Sequence, residues 1–221
     1  MQVSKEYLLS NSWDIINCNI FLDVNGLVDW YNTICEKYKH LRFDFSISRV
    51  LKEEYVNNDN AYGYDNVLKG NIFSWTLDWP IEKELPIPPV FAANEDLFPE
   101  LKEKRNFVLQ EKYKFGYFDD ICKKLGSDFF KYSRITVHDT NAIIEKHTDG
   151  IKGIRVHIPI ISNNESKFLF GENLDREYVL EPGNVYIINT QVPHSTVNNG
   201  PTRAHIITDP GIDKILGLLN A

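Results

Sequence analysis

The chain has 221 residues, of which 43% are hydrophobic and 25% are charged, and this globular composition excludes a disordered or fibrous protein. The formal net charge of −7 argues against general nucleic-acid binding, which needs a positive surface. We find no apolar run long enough to span a membrane and no secretion signal, and three cysteines at unrelated spacings fit a reducing compartment. We therefore expect one cytoplasmic domain over residues 1–221.

The N-terminal part, residues 1–132, is predicted to be a helical and irregular elaboration that contributes substrate contacts. Apolar residues recur at helical spacing in two segments, Leu27–Tyr38 and Phe115–Leu125, and Gly126 is placed to end the second. Five prolines lie between Pro80 and Pro99. Because proline removes a backbone donor, this stretch is predicted to be a long surface loop that forms a wall or lid of a site.

Residues 133–210 form a series of short β-rich runs separated by turn residues. The runs are Arg134–His138, Ile154–Ile161, Lys167–Phe170, Arg176–Leu180, Val185–Asn189 and Ala204–Thr208. Strands at this spacing are typical of an antiparallel sandwich or barrel, and no GxGxxG or P-loop motif supports nucleotide binding. We predict a mainly β core with flanking helices, followed by a C-terminal tail over residues 211–221.

Five of the six histidines lie after residue 137, and three residues among them suggest a metal site. His147 and Asp149 stand two positions apart at the end of a strand, so their side chains project to the same side. His194 follows after enough chain for several antiparallel strands to cross a small barrel and return. Two imidazoles and one carboxylate leave three coordination positions open, which is the ligand set of non-haem Fe(II) oxygenases.

Two arginines accompany these histidines. Arg155 shares a strand face with His157, and Arg203 shares one with His205. A guanidinium on an inner face is costly without an anionic partner, and it matches a carboxylate in a bidentate manner. A dicarboxylic cosubstrate would meet this demand, with His205 packing beside Arg203.

A set of ordered motifs in residues 134–209 resembles the aspartyl/asparaginyl β-hydroxylase family, which includes bacterial hydroxylases of free amino acids such as proline. The motifs are His147-Thr148-Asp149-Gly150, Arg155-Val156-His157-Ile158-Pro159-Ile160, Leu180-Glu181-Pro182-Gly183, Pro193-His194-Ser195-Thr196-Val197-Asn198-Asn199-Gly200 and Arg203-Ala204-His205-Ile206-Ile207-Thr208-Asp209. The resemblance implies a double-stranded β-helix core, Fe(II) and 2-oxoglutarate as cofactors, O₂ as cosubstrate, and hydroxylation of an unactivated C–H bond of an amino acid or amino-acid residue.

The resemblance also implies roles for particular residues. The iron ligands would be His147, Asp149 and His194. Arg203 would pair with the C5 carboxylate of 2-oxoglutarate, and Arg155 and His157 would lie near its end at the metal. The animal enzymes have glycine in place of the carboxylate ligand, so this chain is similar to the bacterial branch.

The substrate side is predicted from three residues. Arg134 and His138 share a strand face before the metal motif, and Arg134 is a candidate for binding a substrate carboxylate, although surface pairing is the more common role. Trp75 is a candidate lining residue, although a core role is favoured for such an aromatic. Ligand imidazoles usually donate their second N–H to a fixing group, for which Asn189 and Thr190 are candidates.

Two other interpretations remain open. A cupin-like metal protein that isomerises or binds a small anion without O₂ would use the histidines but would not need Arg203. A non-catalytic binding module on the same barrel would lack Fe(II) affinity. In all cases the expected partner is a small molecule or peptide, and the sequence does not define the oligomeric state.

Overall fold

The computed structural model describes residues 3–44, 68–80, 107–130, 132–149 and 153–220. Apart from Pro80, the predicted loop from Pro80 to Pro99 lies outside the described residues. In these ranges no helix has both the length and the apolar character needed to cross a membrane. The helices are α1 (Lys5–Leu8), α2 (Val24–Lys37), α3 (Gly116–Leu125) and α4 (Ile212–Leu219), and single 3-10 turns cover Lys39–Leu41, Glu111–Tyr113 and Ser127–Phe130.

Two large antiparallel sheets dominate the described part of the chain. The strands before residue 130 are β1 (Ile15–Phe21), β2 (Phe43–Asp44), β3 (Leu68–Lys69), β4 (Ile72–Thr76), β5 (Asp78–Pro80) and β6 (Phe107–Leu109). The strands after it are β7 (Arg134–His138), β8 (Ala142–His147), β9 (Ile154–Ile161), β10 (Ser166–Phe170), β11 (Arg176–Tyr178), β12 (Asn184–Asn189), β13 (His194–Asn198) and β14 (Arg203–Thr208). The larger sheet has the order β1-β12-β9-β14-β7-β4-β2, the smaller one β11-β10-β13-β8-β3, and β5 pairs with β6.

The last eight strands form a double-stranded β-helix. Their central orders are β12-β9-β14-β7 in the larger sheet and β11-β10-β13-β8 in the smaller one, so the chain passes repeatedly between two facing sheets. The predicted mainly β fold class, with a double-stranded β-helix core and flanking helices, is therefore confirmed. Two of these strands, β8 and β13, were missing from the predicted runs, because polar residues interrupt their apolar pattern.

The larger sheet has two chemically different faces. On one face, alternate residues such as Ile135, Val156 and Ile206 pack with the helices in the main hydrophobic core. The residues between them point the other way, into the space between the two sheets, because side chains alternate along a strand. That interior face carries Arg155, His157, Arg203 and His205. Phe168, which projects from the smaller sheet, packs against the last three of these side chains.

The helical predictions agree with the structure to within a few residues. Helix α2 begins after Asp23, whose carboxylate accepts the backbone N–H groups of Asn25 and Gly26, as expected of an N-cap. Its buried face meets α3, where Trp30 stacks on Phe118 at a ring-centroid distance of 4.2 Å. This pair of helices covers the outer face of the larger sheet.

The N-terminal part contains regular strands as well as the predicted helices, and the segment predicted as a C-terminal tail contains a helix. Strand β1 extends the larger sheet by pairing with β12, and β4 does so on the other side by pairing with β7. Residues Ile212–Leu219 form α4, which buries Ile215 in the main core. Strands as short as β1 and β4 carry little alternation and α4 has only two turns, so none of them gives a strong sequence signal.

Candidate metal centre

A β-bulge positions the first imidazole of the candidate centre. In the pairing of β8 with β13, Thr196 lies opposite Ile144 and His194 lies opposite His147. The chain therefore advances three residues along β8 over the distance in which it advances two along β13. The Ser195 hydroxyl donates to the Ile144 carbonyl at 2.7 Å and holds this irregular step. Bulges re-aim side chains near functional sites, and this one places His147 on the same side of the sheet as His194.

The structure brings together the three residues predicted as ligands. The rings of His147 and His194 have centroids 4.3 Å apart, and Nε2 of His147 lies 3.5 Å from Oδ1 of Asp149. One ligand atom from each of the three residues lies within 4.8 Å of the others. Two nitrogens and one carboxylate oxygen at this spacing have the donor chemistry of a facial divalent-metal site, and this mixed set suits Fe(II).

Backbone carbonyls, rather than the predicted side chains, orient the two imidazoles. Nδ1 of His147 lies 2.7 Å from the Glu145 carbonyl oxygen, and Nδ1 of His194 lies 3.0 Å from that of Val192. A carbonyl only accepts, so each Nδ1 carries a proton and each Nε2 is the ring nitrogen left to face a metal. The prediction of Asn189 for this role was wrong: its amide donates to the carbonyls of the N-terminal segment.

A tight backbone arrangement holds the carboxylate ligand. The Asp149 N–H donates to the Thr190 carbonyl at 2.8 Å, and the Thr190 N–H donates to the Gly153 carbonyl at 2.6 Å. A Cβ at position 153 would lie 2.6 Å from Oγ1 of Thr190 and 3.0 Å from Cβ of Asp149. Only glycine fits there without displacing a neighbour. Sequence reasoning missed Gly153, because a steric requirement between distant residues has no local pattern.

The charges around the centre favour an ionised Asp149 and a neutral His194, whereas at His147 they favour a proton that a metal ion would have to displace. Burial alone would raise the pKa of Asp149, but the hydrogen bond from His147 and the charge of Arg155 outweigh it, so the pKa lies well below its usual value. Burial and the neighbouring His147 lower the pKa of His194. For His147 burial acts in the same direction, but the Asp149 carboxylate and the Glu145 carbonyl outweigh it and raise the pKa. Asp149 is therefore an anion and His194 a neutral imidazole.

Arg155 stands beside the candidate centre. Its Nε lies 3.6 Å from Oδ2 of Asp149, and its Nη1 lies 3.8 Å from Oδ2 of Asp209. Asp209 was assigned no role from the sequence. Burial raises the pKa of Asp209, with the charge of Arg155 acting against this. The guanidinium is thus shared by two carboxylates and stays close to the metal ligands.

Arg203 lies inside the barrel, on the inner strand face that its sequence position predicted. Its side chain is only 2% exposed, and it forms no ion pair within the described part of the chain. Two of its nitrogens, Nε and Nη1, have no hydrogen-bond partner among the described residues, and its guanidinium lies 4.8 Å from the Phe168 ring centroid. Burial lowers its pKa to about 9, so it remains a cation at neutral pH. Burying a cation without a counter-charge is costly, and none of the described residues supplies one to Arg203.

The predicted substrate residues lie in different places. Arg134 begins β7, is half-buried, and shares the interior face with Thr136 and His138. His138 is fully buried further along the strand. Trp75 packs edge-on against Tyr31 on the helix-facing side, and its indole N–H donates to a backbone carbonyl there, so it does not line the interior.

Comparisons with known proteins give similarities in structure only. No family model and no curated protein matches the chain. Similar solved structures include a prolyl hydroxylase from Trichoplax adhaerens in complex with a hypoxia inducible factor peptide fragment, at 12% identity, 91% of this chain, 84% of that chain and TM-score 0.44. A 2OG-Fe(II) oxygenase family oxidoreductase from Burkholderia pseudomallei is 10% identical, with 84% of this chain and 91% of that chain covered and a TM-score of 0.36. A cupin-like protein from Thermotoga maritima is 14% identical, with 71% of this chain and 84% of that chain covered and a TM-score of 0.34.

Proposed function

We propose that the protein is a 2-oxoglutarate- and Fe(II)-dependent dioxygenase that hydroxylates an unactivated C–H bond of an amino acid or amino-acid residue. One observation carries the proposal: a fully buried Arg203, to which the described residues offer no counter-charge, lies on the same interior surface as a cluster of two imidazoles and a carboxylate. A metal site alone does not need this cation. A metal site that also binds a dicarboxylate does, because one acid chelates the metal and the other needs a partner.

Different side chains of the barrel would bind the metal and the two carboxylates of the cosubstrate. His147, Asp149 and His194 hold the metal on one side, which leaves the opposite positions open. Arg203 binds the distal carboxylate through two parallel N–H···O contacts. Arg155 lies against the ligand Asp149 and offers a second cationic group for the acid that chelates the metal.

The interior wall protects the reaction from water. When bound, Fe(II) and 2-oxoglutarate supply the O₂ chemistry, in which 2-oxoglutarate loses CO₂ to give succinate while one C–H bond becomes C–OH. Phe170, Ile188 and Val192 pack together beside His194 and form a dry side of the site. The carboxylate of Asp149 stays ionised next to Arg155 and remains a ligand at neutral pH.

The substrate is proposed from the motif resemblance and from charge. The full triad with Asp149 favours the bacterial amino-acid hydroxylases within the aspartyl/asparaginyl β-hydroxylase-like group. Arg134, half-buried at the start of β7, is proposed to bind an anionic group of this small-molecule or peptide substrate.

The first experiment tests the cosubstrate without turnover. Anaerobic titration of the Fe(II)-loaded protein with 2-oxoglutarate is expected to give a visible chelate band. In Arg203→Met the titration midpoint should rise at least tenfold, because a charge-assisted hydrogen bond contributes roughly 1.5–3 kcal/mol. Lys214→Met removes an exposed positive charge and serves as the control, which should titrate as the parent does. Absence of a band from the parent would contradict the proposal.

The second experiment separates the oxygenase from a cupin-like isomerase or anion binder. Succinate formation from 2-oxoglutarate should require air and should increase with the right substrate. A screen of free L-amino acids and short peptides, read as a mass gain of about 16 Da for one inserted oxygen atom, identifies that substrate. Equal chemistry with and without air would support the cupin-like alternative instead.

A further inference from the structure

Three histidines surround Arg203 in the interior and none of them is used by the metal centre. His138 and His205 are each 1% exposed, and His157 is 5% exposed. Both ring nitrogens of His138 and of His205, and Nδ1 of His157, have no hydrogen-bond partner among the residues that the structure describes. Buried polar atoms are normally paired, so this many unpaired nitrogens beside a guanidinium point to a missing ligand.

Strand register places these groups in successive layers of the barrel. On β14, Ile207 lies opposite His157 of β9, then His205 lies opposite Thr136 of β7, and finally Arg203 lies opposite His138. From the small sheet, Phe168 touches every layer: its ring centroid lies 5.3 Å from that of His157 and 6.2 Å from that of His205. Along this interior face the histidines therefore follow one another towards Arg203 in the order His157, His205 and His138.

The charge state of the cluster determines which ligand it accepts. Burial, the charge of Arg203 and the other imidazoles all lower the pKa values of His138, His157 and His205 well below the ordinary value, so these rings are neutral. A second metal ion is unsuitable because the guanidinium would repel it. A neutral imidazole has one N–H to donate, and a carboxylate has about four lone-pair positions to fill. Arg203 supplies donors for two of them.

We propose that His205 and His138 are specificity residues that complete the site for the cosubstrate's distal carboxylate, each donating one ring N–H to an oxygen that Arg203 also binds. The inference rests on the proposed function, since it assigns these residues to the same cosubstrate. The Thr136 hydroxyl, which is also without a partner among the described residues, lies next to His205 in register and adds a further donor.

The test uses the full chain without metal and glutarate as the probe, because glutarate has both carboxylates but no keto group to chelate a metal. Binding is measured from the concentration dependence of the melting temperature. Glutarate should stabilise the parent, and His205→Phe should bind it roughly ten- to a hundredfold more weakly. His205→Gln keeps an N–H donor and should stay within about threefold of the parent by the same reasoning.

Two further variants make the result specific. His138→Phe tests the neighbouring position independently, with the same expected loss. Ile206→Val alters the same strand but faces the helices, so it should lower stability and leave the glutarate affinity unchanged. No stabilisation of the parent by glutarate, or equal affinity in the parent and both phenylalanine variants, would overturn the inference.

Failure of this inference and failure of the proposed function are distinguishable. If the parent forms the 2-oxoglutarate chelate band with Fe(II) but the histidine variants bind glutarate normally, the enzyme proposal stands and the histidine assignment is wrong. If glutarate binding depends on His205 and His138 while no chelate band forms, the pocket is an anion site and the dioxygenase proposal is wrong.

Discussion

At the scale of single residues, the candidate centre combines predictable and unpredictable parts. The spacing of His147 and Asp149, and the presence of His194 after several strands, could be interpreted from the sequence because side-chain donors are specific residue types. The carbonyls of Glu145 and Val192 that orient the rings could not, because every residue has a carbonyl and only the fold selects which one is used. Residue chemistry thus indicates which groups bind, and backbone geometry decides how they are held.

The carboxylate ligand gives the simplest prediction at this scale. Asp149→Ala should reduce 2-oxoglutarate turnover by at least a hundredfold and weaken Fe(II) binding, because two imidazoles alone remain. Succinate formation and a metal titration measure the two effects. Asp213→Ala, at a carboxylate whose side chain is 90% exposed on α4, is the matched control and should behave as the parent. Near-normal turnover by Asp149→Ala would remove it from the ligand set.

Gly153 gives a second prediction. Gly153→Ala should weaken Fe(II) binding about tenfold or more, because the new methyl group displaces Thr190 and the backbone that supports Asp149. The double variant Gly153→Ala with Thr190→Ala removes the nearest clashing atom and should recover part of the affinity. Equal affinities in the parent and in Gly153→Ala would mean that the loop adapts freely.

At the scale of secondary-structure elements, the N-terminal segment is attached to the barrel by polar contacts. The Arg176 guanidinium on β11 binds the buried carboxylate of Asp14 at 2.6 and 2.9 Å, and the Tyr178 hydroxyl donates to the same carboxylate at 3.0 Å. The Asn189 amide at the end of β12 donates to the carbonyls of Ser10 and Trp13. These contacts fix the segment that leads into β1.

Asn189 tests the importance of this attachment. Asn189→Ala should lower the free energy of unfolding by about 1–3 kcal/mol, because it leaves two carbonyls near the core without donors. Urea unfolding measures the change, and Asn199→Ala, at an exposed asparagine, should be close to neutral. An unchanged unfolding midpoint in Asn189→Ala would show that water replaces the amide without cost.

At the scale of the whole molecule, the fold class followed from the sequence, but its full extent did not. Short runs with turn residues between them predicted an antiparallel sandwich or barrel, because turn chemistry and alternation are local signals. The additions of β1 and β4 to the larger sheet, and the helix α4, depend on contacts between distant segments, such as the pairing of β4 with β7. Arg203 was interpreted as an inward-facing cation from strand alternation alone, and the structure buries it.

The buried histidines make the stability of the metal-free protein depend on pH. Burial lowers the pKa values of four imidazoles below 6.5, and only His147 is shifted upward, by Asp149, despite its own burial. In the unfolded chain these rings regain ordinary values and bind protons below about pH 6.5. Because the unfolded state then binds more protons, stability should fall as the pH falls below this value, by up to about 1.4 kcal/mol per pH unit for each such histidine.

Urea unfolding at pH 7 and pH 5.5 measures this effect. His205→Gln removes one of the four rings and should make the pH dependence shallower. Equal stability of the parent at the two pH values would mean that the interior rings are not neutral in the folded protein.

The bulge in β8 reverses the parity of that strand. Before it, the even-numbered Ile144 faces the interior, and after it the odd-numbered His147 does. Charged substitutions should therefore be tolerated at residues 143, 145 and 146, which face outward, and should be destabilising at residues 142 and 144, which face the interior. A sequence profile that assumes unbroken alternation would assign His147 to the wrong side, and remote members of such a fold would be missed for that reason.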